Sequence, residues 1–315
     1  MTDKQPIDLG HDVFLIDGYD LGLAGRTGTY VLREPELTIV ETSASPSVPY
    51  ILTGLRNLGL RPEAIRYIIV THIHLDHAGG VGLLLQECPD AQVIVHPKGA
   101  RHLANPERLI QGAKAVYKEK FDRLFNPILP VAEDRIVVKA DRETLTIGPN
   151  RTLEFFDTPG HANHHFSIYD PKSSGMFTGD TFGIRYHQVE DAGVTFYLPS
   201  TSPNQFIPEA MERSIELIKG LQVGRIYFGH YGMTTDVDDA YRQIKHWLPV
   251  FVETAKQLAA QGKGEDEIAS VLLSRVRDHL TSRNVPQDHQ VYQVLQIDLE
   301  VCAMGLVDYL SKQVK

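Results

Sequence analysis

His72, His74, Asp76 and His77 stand within six residues of one another in the stretch THIHLDHAGG, residues 71–80. Imidazole nitrogen and carboxylate oxygen form a donor set that suits zinc, and also iron or manganese. In extended backbone alternate side chains share a side, so His72 and His74 can reach one ion together. Asp76 and His77 follow the bend and face a neighbouring position. A cluster of polar loop residues would account for this stretch taken alone. Three further corners argue for more. His161 follows TPG, Asp180 follows FTG and His230 follows YFG. Each stands just past a β-type run and just after a glycine, which lets backbone approach closely. Singly these are ordinary, since an Asp after a strand is usually a cap and a lone His usually packs or faces water. Four corners that all end in His or Asp point to a metal centre.

These motifs resemble those of the metallo-β-lactamase-fold superfamily: HxHxDH at residues 72–77, TPGH ending at His161, FTGD ending at Asp180 and FGH ending at His230. The resemblance covers about residues 11–232. It implies an α/β fold, an αββα sandwich of two mixed sheets, here with a C-terminal helical appendage. It also implies two divalent metal ions, zinc first, with iron or manganese as alternatives. His72, His74 and His161 would hold one, Asp76, His77 and His230 the other, and Asp180 would bridge and screen them. A metal-bridging hydroxide, available because the cations bring the pKa of water down toward ~7, would be the nucleophile. Asp76 would also act catalytically, orienting it or taking up a proton. Thr71, Thr158 and His165 are candidates for fixing the imidazole tautomers. His164 is expected to be a surface residue.

The function implied is a dinuclear metallo-hydrolase acting on a carbonyl ester, lactone or thioester. The HxHxDH form is similar to that of acyl-homoserine-lactone lactonases and hydroxyacylglutathione hydrolases. The text after the last histidine, GHYGM, departs from the GHEYT-like continuation usual in the thioesterases, which puts a glutathione thioester in doubt. The alternatives are an iron-dependent oxygenase or redox protein of the same fold, an endoribonuclease-like phosphodiesterase, and a metal-containing sensor without turnover. Flavodiiron-type relatives usually place Glu where this chain has His74, and no flavodoxin-like segment follows. Arg185, Tyr186 and Tyr197, with His187, lie in the long segment after Asp180 and are candidates for contacting substrate.

The elements that must position these residues follow from the patterning. Short apolar runs with glycines between them over residues 11–41 read as antiparallel strands. A helix over 50–58, a strand ending at 68–70, a helix near 80–87 and a strand at 91–97 make an α/β unit. Residues 98–130 form a helical insertion with seven Lys or Arg against three acids, read as a solvated face or as a lid that attracts an anionic substrate. Strands return at 136–139, 144–147, 152–160, 167–170 and 176–180. An irregular segment over 181–208 comes next, then a helix over 209–220 and a strand at 225–230. From 236 the strand signal stops and three helices follow, near 237–261, 265–282 and 287–313. The expected division is a catalytic domain over 1–235 and a helical region over 236–315, the latter a cap on the site or a homodimer face.

Composition narrows the class. A formal charge of -9 disfavours a general nucleic-acid binder and leaves a small molecule as the expected partner. Only Cys88 and Cys302 are present, without CxxC spacing, so a reducing compartment fits. The polar opening MTDKQPIDLG and the lack of a long apolar run lead us to expect a cytoplasmic protein with no membrane partner.

Overall fold

The computed structural model describes residues 5–313. The first four residues of the polar opening, and residues 314 and 315 of the expected helical region, lie outside them. The described chain divides into two compact units. The first holds the chain up to Asp157 together with His164–Gly179 and Val223–Thr235; the second holds Thr158–Asn163, Asp180–Gln222 and the chain from Asp236 onward.

Both large sheets belong to the first unit. One has seven strands in sequence order: Ile7–Asp8, Val13–Asp17, Gly28–Leu32, Thr38–Val40, Tyr67–Ile69, Gln92–Val95 and Ile136–Val138. The first four pair antiparallel and the remaining pairings are parallel. The other sheet runs Met233–Thr234, Arg225–Tyr227, Gly175–Phe177, Phe166–Asp170, Arg151–Asp157 and Thr144–Gly148. Only its Gly175–Phe177 and Arg225–Tyr227 pair is parallel.

Successive strand residues point to opposite faces, and the apolar runs use both. Ile16, Val31, Ile39, Ile68 and Val93 pack with Ile51, Leu55, Val81 and Leu103 of the helices Val48–Asn57, Val81–Leu84 and Pro97–Ala104. Their neighbours Leu15, Tyr30, Val40, Ile69 and Ile94 pack instead against Phe155, Phe166, Ile168 and Phe177 of the six-stranded sheet. Runs apolar at every position, such as Tyr67–Ile69, are therefore central strands covered on both sides. The expected insertion forms three helices, Pro97–Ala104, Glu107–Tyr117 and Phe121–Phe125.

The second unit is mainly helical, with Pro208–Gly220, Val237–Ala259, Glu265–Thr281 and Val291–Gln313. Asp236 caps the second of these, its carboxylate accepting from the Asp239 N–H at 3.0 Å. Residues 181–208 are more ordered than their composition implies. They hold the antiparallel pair Ile184–Arg185 and Tyr197–Leu198 and the 3₁₀ turn His187–Ala192. Among the described residues no helix is long and apolar enough to cross a membrane.

Candidate metal centre

In the first unit the parallel strands deliver their functional residues at their carboxyl ends, where ligands collect in open α/β sheets. Thr38–Val40 leads to Glu41, and its parallel neighbour Tyr67–Ile69 leads to Thr71 and His72. The chain then enters the short helix Leu75–Ala78, with His74 as its N-cap. The motif is thus strand end, corner and helix start together.

A donor pair and a donor triad form there. His72 is fully buried; its Nε2 lies 3.1 Å from His74 Nδ1, and its Nδ1 lies 3.1 Å from the Thr71 hydroxyl. Asp76 Oδ2 lies 3.6 Å from His77 Nε2 and 3.6 Å from His230 Nε2. One donor atom from each of Asp76, His77 and His230 lies within 4.8 Å of the others, close enough for one cation. The His230 turn is held by Tyr30, whose hydroxyl lies 2.6 Å from the carbonyls of both Phe228 and Gly232.

Glu41 is the residue that sequence reasoning missed. It is 2% exposed, with backbone in the left-handed region at φ 68°. Its Oε1 accepts the Thr71 N–H at 3.0 Å, and its Oε2 lies 3.3 Å from His77 Nδ1. A carboxylate on Nδ1 turns Nε2 into the lone-pair donor, facing Asp76. The only signal was an acid ending the run LTIVE, which spacing alone does not single out.

His165, among the candidates for fixing tautomers, is fully buried, its ring 5.1 Å from that of His72. His164 corrects the expectation of a surface residue. It is 6% exposed, and its ring lies 5.5 Å from His74. The strand that begins at Phe166 forces this burial, since its first residue accepts a place beside Thr71, donating its N–H to the Thr71 carbonyl at 3.0 Å. Gly179 is required nearby: its φ is +47°, and a Cβ there would fall 2.4 Å from Thr71 Oγ1 and 2.5 Å from His165 Nε2.

Asp20 adds negative charge to this unit. Its Oδ2 accepts from Arg26 Nε at 3.1 Å, and burial pushes its carboxyl up to about 6, with Asp76 pushing the same way against Arg26, His230 and His77.

In the second unit His161 and Asp180 come together, Nε2 to Oδ2 at 3.6 Å. His161 Nδ1 lies 3.1 Å from the Ser200 carbonyl, so it carries the proton and leaves Nε2 as the donor. The Ser200 hydroxyl donates to Asp180 Oδ2 at 3.0 Å, and the Ser202 hydroxyl lies 3.3 Å from His161 Nε2. Thr158 offers its carbonyl to the Thr181 hydroxyl at 2.7 Å. Of the three substrate-contact candidates, Tyr186 donates to Asp298 at 3.0 Å, Arg185 pairs with Glu190, and Tyr197 is buried with its N–H on Gln243.

The donor set fits a metal. Neutral imidazoles with one nitrogen tied to an oxygen, alongside carboxylates, are what divalent zinc, iron or manganese take. A sequence profile of the Metallo-beta-lactamase superfamily matches residues 23–230, so the chain belongs to that superfamily. It is 24% identical over 276 residues to a Beta-lactamase-like protein 2 homolog of Caenorhabditis elegans, covering 86% of this chain and 78% of the relative. A putative diflavin flavoprotein of Nostoc sp. is 29% identical over 175 residues, 54% of this chain but only 26% of that protein's length. Among solved structures, a metallo-beta-lactamase family protein of Thermus thermophilus superposes with a TM-score of 0.68 at 18% identity, covering 98% of this chain and 95% of its own. The expected fold class holds: mixed α/β sheets of the metallo-β-lactamase type with a C-terminal helical region.

Proposed function

We propose that this chain is a dinuclear metal-dependent hydrolase of a small carbonyl ester, lactone or thioester. His72, His74 and His161 would hold one divalent ion, Asp76, His77 and His230 the other, and Asp180 would be a ligand to both. The observation that carries the reading is the convergence of Asp76, His77 and His230 within 4.8 Å, with His77 already turned by Glu41 at 3.3 Å. When bound, two such ions supply Lewis acidity toward a carbonyl oxygen and hydroxide at neutral pH.

The chain's own residues do the rest. Glu41 and Ser200 fix which imidazole nitrogen faces the metals, so no rotation or proton shift is needed on loading. Asp76 is partly exposed, at 23% for its side chain, so it can pass a proton to water while its neighbours stay buried. Arg185, Tyr186 and Tyr197 are proposed to shape the substrate side, although the Tyr186 hydroxyl is engaged with Asp298.

The test is metal analysis of protein purified without added metal, followed by a panel of lactones, thioesters and phosphodiesters. A metal-dependent carbonyl hydrolase loses about 100-fold or more of its rate when Asp180 becomes Ala. Two metals with no turnover on any carbonyl substrate would refute this reading. Iron with oxygen consumption would establish the redox alternative, which the likeness to a diflavin flavoprotein favours next.

A further inference from the structure

Residues 199–202 carry the polar contacts that orient the second unit's donors. The Ser200 carbonyl accepts the His161 Nδ1–H at 3.1 Å, and the Ser200 hydroxyl donates to Asp180 at 3.0 Å. The segment has no helical or sheet ladder of its own past Leu198, so its position must be set from elsewhere.

The last helix, Val291–Gln313, sets it. The Thr201 hydroxyl donates to the Cys302 carbonyl at 3.0 Å, and the Thr201 N–H points at Cys302 Sγ at 3.5 Å. The Cys302 thiol in turn lies 3.8 Å from the Pro199 carbonyl. Burial pushes that thiol up to about 12, so it stays a neutral donor. Three residues on, and so on the same helix face, Gly305 brings helix backbone onto the segment. A Cβ added there would fall 1.7 Å from the Thr201 carbonyl oxygen and 2.6 Å from the Ser202 carbonyl carbon. Both contacts are to backbone, so no side-chain rotation relieves them.

We propose that the last helix is a positioning element for the metal centre: through Cys302 and Gly305 it holds residues 199–202, which set the tautomer of His161 and the orientation of Asp180. The inference rests on the reading that His161 and Asp180 bind metal. Partners that orient metal ligands are worth about 10–100-fold in affinity, whereas a helix that only adds packing moves stability and leaves affinity alone.

The experiment uses the full chain. Zinc affinity is measured by competition with a chromophoric chelator, and the d–d spectrum of the cobalt-loaded protein is recorded. Gly305→Ala forces the segment to move, and Thr201→Val removes the hydroxyl anchor at nearly constant shape. Gly112→Ala, in open space on an exposed helix, is the control. The expected result is zinc affinity about 10–100-fold weaker in both variants, altered cobalt bands and an unchanged control. Should Gly305→Ala fail to fold, Thr201→Val decides. Wild-type affinity and wild-type cobalt bands in a folded variant overturn the proposal. A wild-type protein that takes up no zinc overturns the metal reading beneath it.

Discussion

At the scale of single residues, Glu41 places more of the centre than its sequence position reveals. Its carboxylate receives the Thr71 N–H and faces His77 Nδ1, so it locks the corner and one imidazole at once. Glu41→Gln keeps the volume but removes the charge that favours the Nδ1 proton, and we expect zinc affinity to weaken about 10–100-fold. Chelator competition checks this, and an unchanged dissociation constant would show that Glu41 only closes the strand. His279 gives a prediction in pH. Burial, then the nearby Arg283 and His246, hold its imidazole below the ordinary value of 6.5. The unfolded chain therefore binds the proton first, and stability falls as pH drops below about 6.5 toward the folded value. Urea midpoints at pH 7.5 and 5.5 should differ less in His279→Gln than in the parent; an equal drop in both would assign the effect to other groups. His279 and Glu41 were not legible in the sequence, because their partners are remote along the chain: Trp247 beside one, His77 beside the other. The residues that gather as Asp76, His77 and His230 in one unit and as His161 and Asp180 in the other stood out in the sequence because each ends a strand after a recognisable glycine or lies within a dense histidine motif. The burial of His164 did not, because it depends on a strand pairing that begins two residues later.

Elements divide the same way. The three C-terminal helices could be placed within a few residues, since Gly262, Gly264 and Pro286 interrupt clear apolar periodicity; the observed spans are Val237–Ala259, Glu265–Thr281 and Val291–Gln313. The four-residue helix Leu75–Ala78 escaped notice because one turn is too short to show a period. The strands of 184–198 escaped because two residues each carry no alternation. Sheet order was illegible too: Gly175–Phe177 pairs with Arg225–Tyr227 across about fifty residues of intervening chain. A charged pair ties down the six-stranded sheet. Arg151, fully buried, donates from Nε to Asp170 Oδ1 at 3.0 Å and from Nη2 to Oδ2 at 2.5 Å, on adjacent strands. Replacing such a pair together can be neutral, but removing one partner strands a buried charge at about 3–5 kcal/mol. Asp170→Asn should therefore lower the unfolding free energy from urea titration by an amount in that range. A loss under about 1 kcal/mol would mean that Glu34, 3.4 Å from Nη1, takes over the role.

For the whole molecule the variable that tests the proposed function is metal. The chain carries a formal charge of -9, and within the first unit the proposed site adds Asp76 to a neighbourhood that already holds Asp20 and Glu41, all three partly or fully buried. Like charges drawn together out of water oppose folding unless a cation or proton offsets them. Burial with the pressure of Asp76 already raises the Asp20 carboxyl to about 6. The metal-free protein should accordingly be the weaker one. A ligand that binds only the folded state adds stability by mass action, about 2.7 kcal/mol at a hundredfold excess over its dissociation constant. For a chain of this size that is a rise of several degrees or more in the thermal midpoint. Calorimetry on protein stripped by a chelator, then reloaded with zinc, manganese or ferrous iron under anaerobic conditions, measures it directly. The ion giving the largest rise at equal free concentration is the one the site holds most tightly. If stripped and reloaded protein melt at the same temperature for every ion, the buried carboxylates and imidazoles are satisfied by one another, and the hydrolase reading loses its physical basis.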